Sequence, residues 1–171
     1  EVPTLGRCII TDDVYGDSLR KLIDENRITP EILEKLQHEL VDAIDYIQSN
    51  HIVHHPVRPE TIYFTENIGN LKLIDVGFDQ RQHLEPADAS EDIYRYGCVL
   101  DEVLDHVPTK LPDLRKIAQR CKDPEPKRRY RDVQDLHLAF ERRNSNQVYV
   151  FLIVFLVAMI CLLTWLNMYR P

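Results

Sequence analysis

Residues 52–62, IVHHPVRPETI, and residues 71–77, LKLIDVG, organise the rest of the chain around them. Residues 61–64 and 71–74 are short β-rich runs joined by a loop containing Gly69, which is the pattern of a hairpin. Pro56 sits in the polar loop before the hairpin. It has neither a side-chain acceptor nor a backbone N–H, so it can neither take nor orient a proton. Ahead of the loop, Leu33, Leu36, Leu40, Ile44 and Ile47 recur at helical spacing, giving one apolar face that runs to about Gln48. That helix opens on Thr29, Pro30 and Glu31: a capping hydroxyl, proline at the first position and an acid in the first turn.

Toward the N-terminus, residues 7–11 (RCIIT) read as a short strand. Residues 12–19 (DDVYGDSL) read as a turn leading into a helix capped by Asp17 or Ser18. Toward the C-terminus, helices fit 91–104, 111–121 and 132–141, and 144–147 (NSNQ) is a short polar linker. There is no internal repeat and no low-complexity tract.

Residues 148–166, VYVFLIVFLVAMICLLTWL, carry no charge, no proline and no glycine. Nineteen residues in a helix extend about 28 Å, close to the thickness of a bilayer core, so the run is expected to cross a membrane once. Tyr149 and Trp165 stand near its ends, where amphipathic rings favour the headgroup region. Lys127, Arg128, Arg129, Arg131, Arg142 and Arg143 precede the run and only Arg170 follows it, which orients residues 1–147 to the cytoplasm. The expected organisation is a folded domain at 1–143, the linker, the span at 148–166 and an extracytoplasmic tail at 167–171, in the cell membrane. The chain opens on Glu1 rather than Met, so further sequence is expected upstream.

The net charge of −7 argues against a general nucleic-acid binder, because affinity for phosphate backbones needs surplus lysine and arginine. Cys8, Cys98, Cys121 and Cys161 form no CxxC pair and read as buried thiols in a reducing compartment. His51, His83, His106 and His137 are scattered, and no structural metal site is expected.

The succession of strand, helix, long helix, polar loop, hairpin and further helices resembles the larger lobe of serine/threonine-type protein kinases, from about residue 8 to residue 140. Residues 9–19 are similar to the hinge strand and the turn into the first large-lobe helix. His54 to Ile62 resembles the catalytic loop, H-R-D-L-K-P-E-N, and Asp75-Val76-Gly77 resembles the D-F-G turn. Asp92-Ile93-Tyr94-Arg95-Tyr96-Gly97 is similar to the family's D-x-Y-S-x-G, which opens its central buried helix. Cys121-Lys122-Asp123-Pro124 through Arg129 resembles C-x-x-x-D-P-x-x-R with one extra residue. The resemblance implies a mainly α fold: a kinase-like large lobe with a small β-hairpin, to which the apolar run adds one transmembrane helix. The family's small lobe would lie outside this chain.

The same motifs carry losses. Phosphoryl transfer needs phosphates held by a Gly-rich loop and a lysine, Mg²⁺ held by two ligands, and an aspartate that orients the hydroxyl. Here Pro56 occupies the position of that aspartate, Thr61 that of the asparagine ligand, and His55 that of the arginine that would pair with a phosphorylated activation loop. Asp75 and Asp92 are seventeen positions apart, about half the family's usual separation. Asp75 keeps the metal-ligand identity, so Mg²⁺ and ATP remain open, with Asp75 on the metal and Arg58 on a phosphate. The alternatives are that Asp75 caps the turn or pairs with Lys72 or Arg58, and that Arg58 pairs with Glu60 or Asp75. By the same resemblance His54 is a core histidine bonded to backbone, Asp92 holds the catalytic-loop backbone, and Arg129 pairs with an acid near Glu85.

The function expected is therefore that of a membrane-anchored pseudokinase, a signalling or scaffolding module with protein partners and no catalytic residue. Its rivals are a divergent active kinase and a passive cytoplasmic domain of a membrane protein.

Overall fold

The computed structural model describes residues 14–52, 57–65, 69–74 and 85–168. Helix α1 (Leu19–Asp24) begins at Ser18, whose hydroxyl accepts from the Lys21 N–H at 3.2 Å. Helix α2 (Pro30–Gln37) begins at Thr29, whose hydroxyl accepts from the Ile32 N–H at 3.3 Å, with Pro30 at the first position. Helix α3 (Glu39–Ser49) follows after a break at His38, where φ is −114° and ψ −68°. The sequence periodicity predicts one continuous helix here. The Gln37 side chain donates to the Leu33 carbonyl at 2.9 Å, at the turn where the ladder is interrupted. The apolar face survives the break, because Leu33, Leu36, Leu40, Ile44 and Ile47 are all buried.

The hairpin is part of a larger sheet. Strand β2 (Ile62–Thr65) pairs antiparallel with β3 (Leu71–Leu73) and, on its other edge, with β1 (Gly16–Ser18). Sequence reading placed a turn at β1, because Gly16 and Asp17 are poor strand formers. The glycine is what permits the pairing. At φ +154°, a Cβ on Gly16 would lie 2.0 Å from the Phe64 carbonyl oxygen.

Helix α4 (Pro86–Asp105) starts earlier than its apolar periodicity indicates. Pro86 occupies its first turn and Asp88 caps it, accepting from the Glu85 N–H at 3.2 Å. Helix α5 (Pro112–Cys121), a 3-10 turn (Pro126–Arg128) and helix α6 (Val133–Met168) complete the chain. The backbone of α6 is helical through 144–147, the stretch read as a polar linker.

The core gathers on α4. Ile93, Tyr96, Val99, Leu100 and Val103 are all nearly or fully buried, and each such side chain removed from water contributes roughly 1.5–3 kcal/mol. The Tyr96 hydroxyl donates to the Leu36 carbonyl at 3.1 Å, and its ring meets Phe140 of α6 edge to face at 6.4 Å. Asp101 binds Arg115 at 2.6 Å and also Lys122, tying α4 to α5 and to the turn after it. Gly97 allows the close approach of α5, since a Cβ there would lie 2.4 Å from the Cys121 Cβ.

Three expectations are corrected. The fold is mainly helical, but its β component is a three-stranded sheet rather than a lone hairpin. Among the described residues, no helix is long and apolar enough to cross a membrane. The transmembrane helix, the membrane as a partner and the single-pass cell-membrane location inferred from it are withdrawn on that finding. The side chains at 149–165 are exposed. The cysteines also differ from expectation, since Cys121 is buried, Cys98 is half-buried and Cys161 is exposed.

Gly97→Ala is expected to destabilise the fold by roughly 1–3 kcal/mol, because the added methyl meets a packed helix rather than a flexible chain end. Urea denaturation would show this as a lower midpoint at an unchanged slope. An unchanged midpoint would mean that α5 is not held against α4.

Candidate functional site

The part of the polar loop that the structure describes begins at Val57. Val57 and Pro59 are buried while Arg58 and Glu60 are exposed, the alternation of a chain crossing the edge of the core. The segment closes on itself as the Thr61 N–H donates to the Arg58 carbonyl at 3.0 Å. Thr61 is 1% exposed. Its hydroxyl donates to the same Arg58 carbonyl at 3.0 Å and accepts from the Arg58 N–H at 3.4 Å. The Thr61 side chain is thus buried and engaged in fixing a turn.

Neighbouring elements hold that turn from outside. The Arg20 N–H of α1 donates to the Pro59 carbonyl at 3.0 Å, and the Arg20 side chain bridges Glu60 at 2.8 Å and Glu102 of α4 at 2.5 Å. Those two carboxylates hold the guanidinium pKa above its usual value, first through the hydrogen bond to Glu102 and then through that to Glu60. After β3, the Ile74 N–H donates to the Thr61 carbonyl at 2.9 Å, so the chain leaves the sheet directly beside Thr61.

Four residues of the site expected from the sequence, His54, His55, Pro56 and Asp75, lie outside the described residues, and with them the expected metal position. Arg58 is exposed and forms no ion pair with a described carboxylate; Glu60, one of its two expected partners, pairs with Arg20, and the other, Asp75, lies outside the described residues. Arg58 lines a cavity of about 340 Å³ between the 57–60 segment and α4, together with Tyr94, Cys98 and Glu102. Among the described residues no group of three His, Cys, Asp or Glu side chains is gathered to hold a metal ion.

Asp92 is 6% exposed, and its carboxylate accepts from the Gln48 side chain of α3 at 3.0 Å. Burial is the largest influence on it and pushes its pKa up to about 6, against the lowering effect of the Gln48 bond. Arg129 donates to the Asp123 carbonyl at 2.8 Å and to the Ser90 carbonyl at 3.1 Å, and its guanidinium lies 4.7 Å over the Tyr94 ring. Its described partners include no carboxylate. Gln48 and Arg20 are not singled out by the sequence, and Tyr94 enters there only as the tyrosine of the D-x-Y-S-x-G resemblance. Gln48 and Arg20 are ordinary polar residues on helices until the fold brings them against α4 and the 57–60 segment.

No family model matches the sequence. Among curated proteins, the chain is 35% identical over 95 residues to the serine/threonine-protein kinase OXI1 of Arabidopsis thaliana, covering 49% of this chain and 22% of that protein. It is 24% identical over 117 residues to serine/threonine-protein kinase 36 of Pongo abelii, covering 56% of this chain and 9% of that protein. It is 27% identical over 128 residues to the probable serine/threonine-protein kinase PknB of Corynebacterium glutamicum, covering 58% and 19%. The chain spans less than a quarter of the length of each of these relatives. Their agreement supports a protein kinase-like relationship.

Two measurements test the site's electrostatics. The folded pKa of Asp92, about 6, lies above its ordinary value of 3.8. Below about pH 4 Asp92 is protonated in both states, and its burial carries no charge penalty. Between about pH 4 and 6 the unfolded chain ionises while the folded chain keeps the proton, so stability falls as pH rises, by roughly 3 kcal/mol in all. Asp92→Asn is expected to remove that decline and to raise stability at pH 7 relative to the parent; a slope unchanged by the substitution would refute the assignment. Thr61→Val is expected to cost about 1–2 kcal/mol in chemical denaturation, because a buried hydroxyl with two backbone partners is lost. A neutral result would show that the turn does not depend on that hydroxyl.

Proposed function

We propose that this chain is the large-lobe portion of a kinase-like module that binds protein partners, for signalling or scaffolding, and does not transfer phosphate. The observation that carries the reading is Thr61. A metal ligand must turn an oxygen toward the ion, and Mg²⁺ accepts only near-ideal octahedral geometry. The Thr61 side chain is 1% exposed and its hydroxyl is engaged with the Arg58 backbone, so it is poorly placed to coordinate anything. The sequence supports the same conclusion at the base position, where Pro56 offers no acceptor. A module lacking both the base and one metal ligand loses positioning and charge neutralisation together, and these account for most of the rate in phosphoryl transfer.

Within this reading Asp75 and Arg58 are the residues left to contact a nucleotide, through Mg²⁺ and a phosphate respectively. The carboxylate identity of Asp75 favours one rival, a divergent kinase in which another group orients the hydroxyl. The two readings separate in an assay of the full-length protein with labelled ATP and Mg²⁺. The expected result is no phosphate incorporation above background, and no difference between the parent and Asp75→Ala. Phosphotransfer that disappears in Asp75→Ala would overturn the proposal.

A further inference from the structure

The arginines of this chain divide in a way that its overall charge does not explain. Arg20, Arg27, Arg95, Arg115, Arg128 and Arg131 each form an ion pair with a carboxylate. That is the expected outcome in a chain with 28 acidic residues and 21 basic ones. Among the described residues five arginines pair with no carboxylate, and three of them, Arg120, Arg142 and Arg143, line one cavity. This cavity lies between α5 and α6, encloses about 440 Å³ and is separate from the turn at 57–61.

The other charges there do not neutralise it. Lys116 and two carboxylates, Asp113 and Asp135, complete its charged lining. Asp113 is taken up by Lys116 at 3.4 Å, and Asp135 faces Arg131 at 3.8 Å. Arg120 lies 4.3 Å over the Tyr130 ring, which orients its guanidinium without neutralising it. Arg143 donates one N–H to the neutral Gln37 side chain at 2.6 Å, leaving its other donors and its charge. Arg142 is exposed. Three guanidinium forks line one concavity with no ion pair to a described carboxylate, in a protein that has acids to spare. Apolar surface lies beside them, since Ile117 lines the same cavity and Leu138, also in its lining, is 45% exposed.

We infer that this cavity binds a phosphate monoester dianion, with Arg120, Arg142 and Arg143 as its ligands and Leu138 receiving an apolar group beside the phosphate. Guanidinium forks match the oxygens of phosphate two at a time, and a dianion answers several of them, which a single carboxylate does not. The phosphate can come from a small metabolite or from a phosphorylated side chain of a protein. The site does not depend on the reading of the chain as a non-catalytic kinase-like module, and it stands or falls separately.

The test is calorimetric titration of the full chain with two probes: free O-phosphoserine, and a short peptide carrying phosphoserine next to leucine. Binding of either supports the site. A tighter peptide identifies a phosphorylated protein segment as the source, and equal affinities identify a small phosphate. Arg142→Gln, at an exposed position in a helix, is expected to weaken binding about tenfold or more, and Arg142→Lys to weaken it less. Lys127→Gln makes the same change in net charge outside the cavity and is expected to leave affinity within about twofold. The proposal is overturned if neither probe binds at millimolar concentration. It is equally overturned if the unphosphorylated peptide binds as well, or if Lys127→Gln weakens binding as much as Arg142→Gln.

Discussion

A helix that passes through a core can keep its polar groups only where each finds a partner, and α4 is the element on which this constraint bears hardest. Its apolar side chains are among the most buried in the chain. Its polar ones reach out to almost every other element: Asp92 to α3, Tyr96 to α2, Asp101 to α5, Glu102 to α1. Leaving the buried ones, Asp92 and Tyr96, unmatched would cost on the order of 1–3 kcal/mol each, so α3 and α2 are held to one arrangement against α4. Gly97 adds a steric condition to the electrostatic ones, fixing how closely α5 can lie.

The segment at 57–61 inherits its shape from that arrangement. Arg20 spans from Glu60 to Glu102, so the turn is tied to α4 through a single guanidinium, while its backbone N–H holds the Pro59 carbonyl. Thr61 then locks the turn from within. The Thr61 hydroxyl is engaged with the backbone of its own turn. The same residues that build a rigid site in an enzyme can build a rigid surface in a binding module, and rigidity lowers the ordering cost of binding for either. The relationship to serine/threonine kinases is compatible with a Thr61 side chain turned inward.

Much of this was legible beforehand, for identifiable reasons. Helices α2 and α3 announce themselves through Thr29-Pro30-Glu31 and the spacing from Leu33 to Ile47, because a cap and a repeating apolar face are local properties. The hairpin shows in alternating residues on either side of Gly69. The third strand does not, since Gly16-Asp17-Ser18 has no strand propensity and pairs only because Phe64 lies beside it. The early start of α4 is missed because Pro86 and Asp88 are helix-start residues preceding the apolar repeat. In the candidate site, Asp92 and Arg129 stand out by motif, but their partners Gln48, Ser90 and Tyr94 are distant in sequence. Nothing in a linear pattern records such a meeting.

From residue order alone come the helical character of the chain, its resemblance to a kinase large lobe, the proline where a base would be and the long apolar run at 148–166. Each is a matter of identity or periodicity, carried by neighbours along the chain. Long-range contact decides the rest: the three-stranded sheet and the burial that raises Asp92. It also decides which arginines find carboxylates and which three are left facing one cavity. Burial and charge compensation depend on what lies within a few ångströms in space, and residues as far apart as Gln37 and Arg143 become neighbours only once the chain has folded.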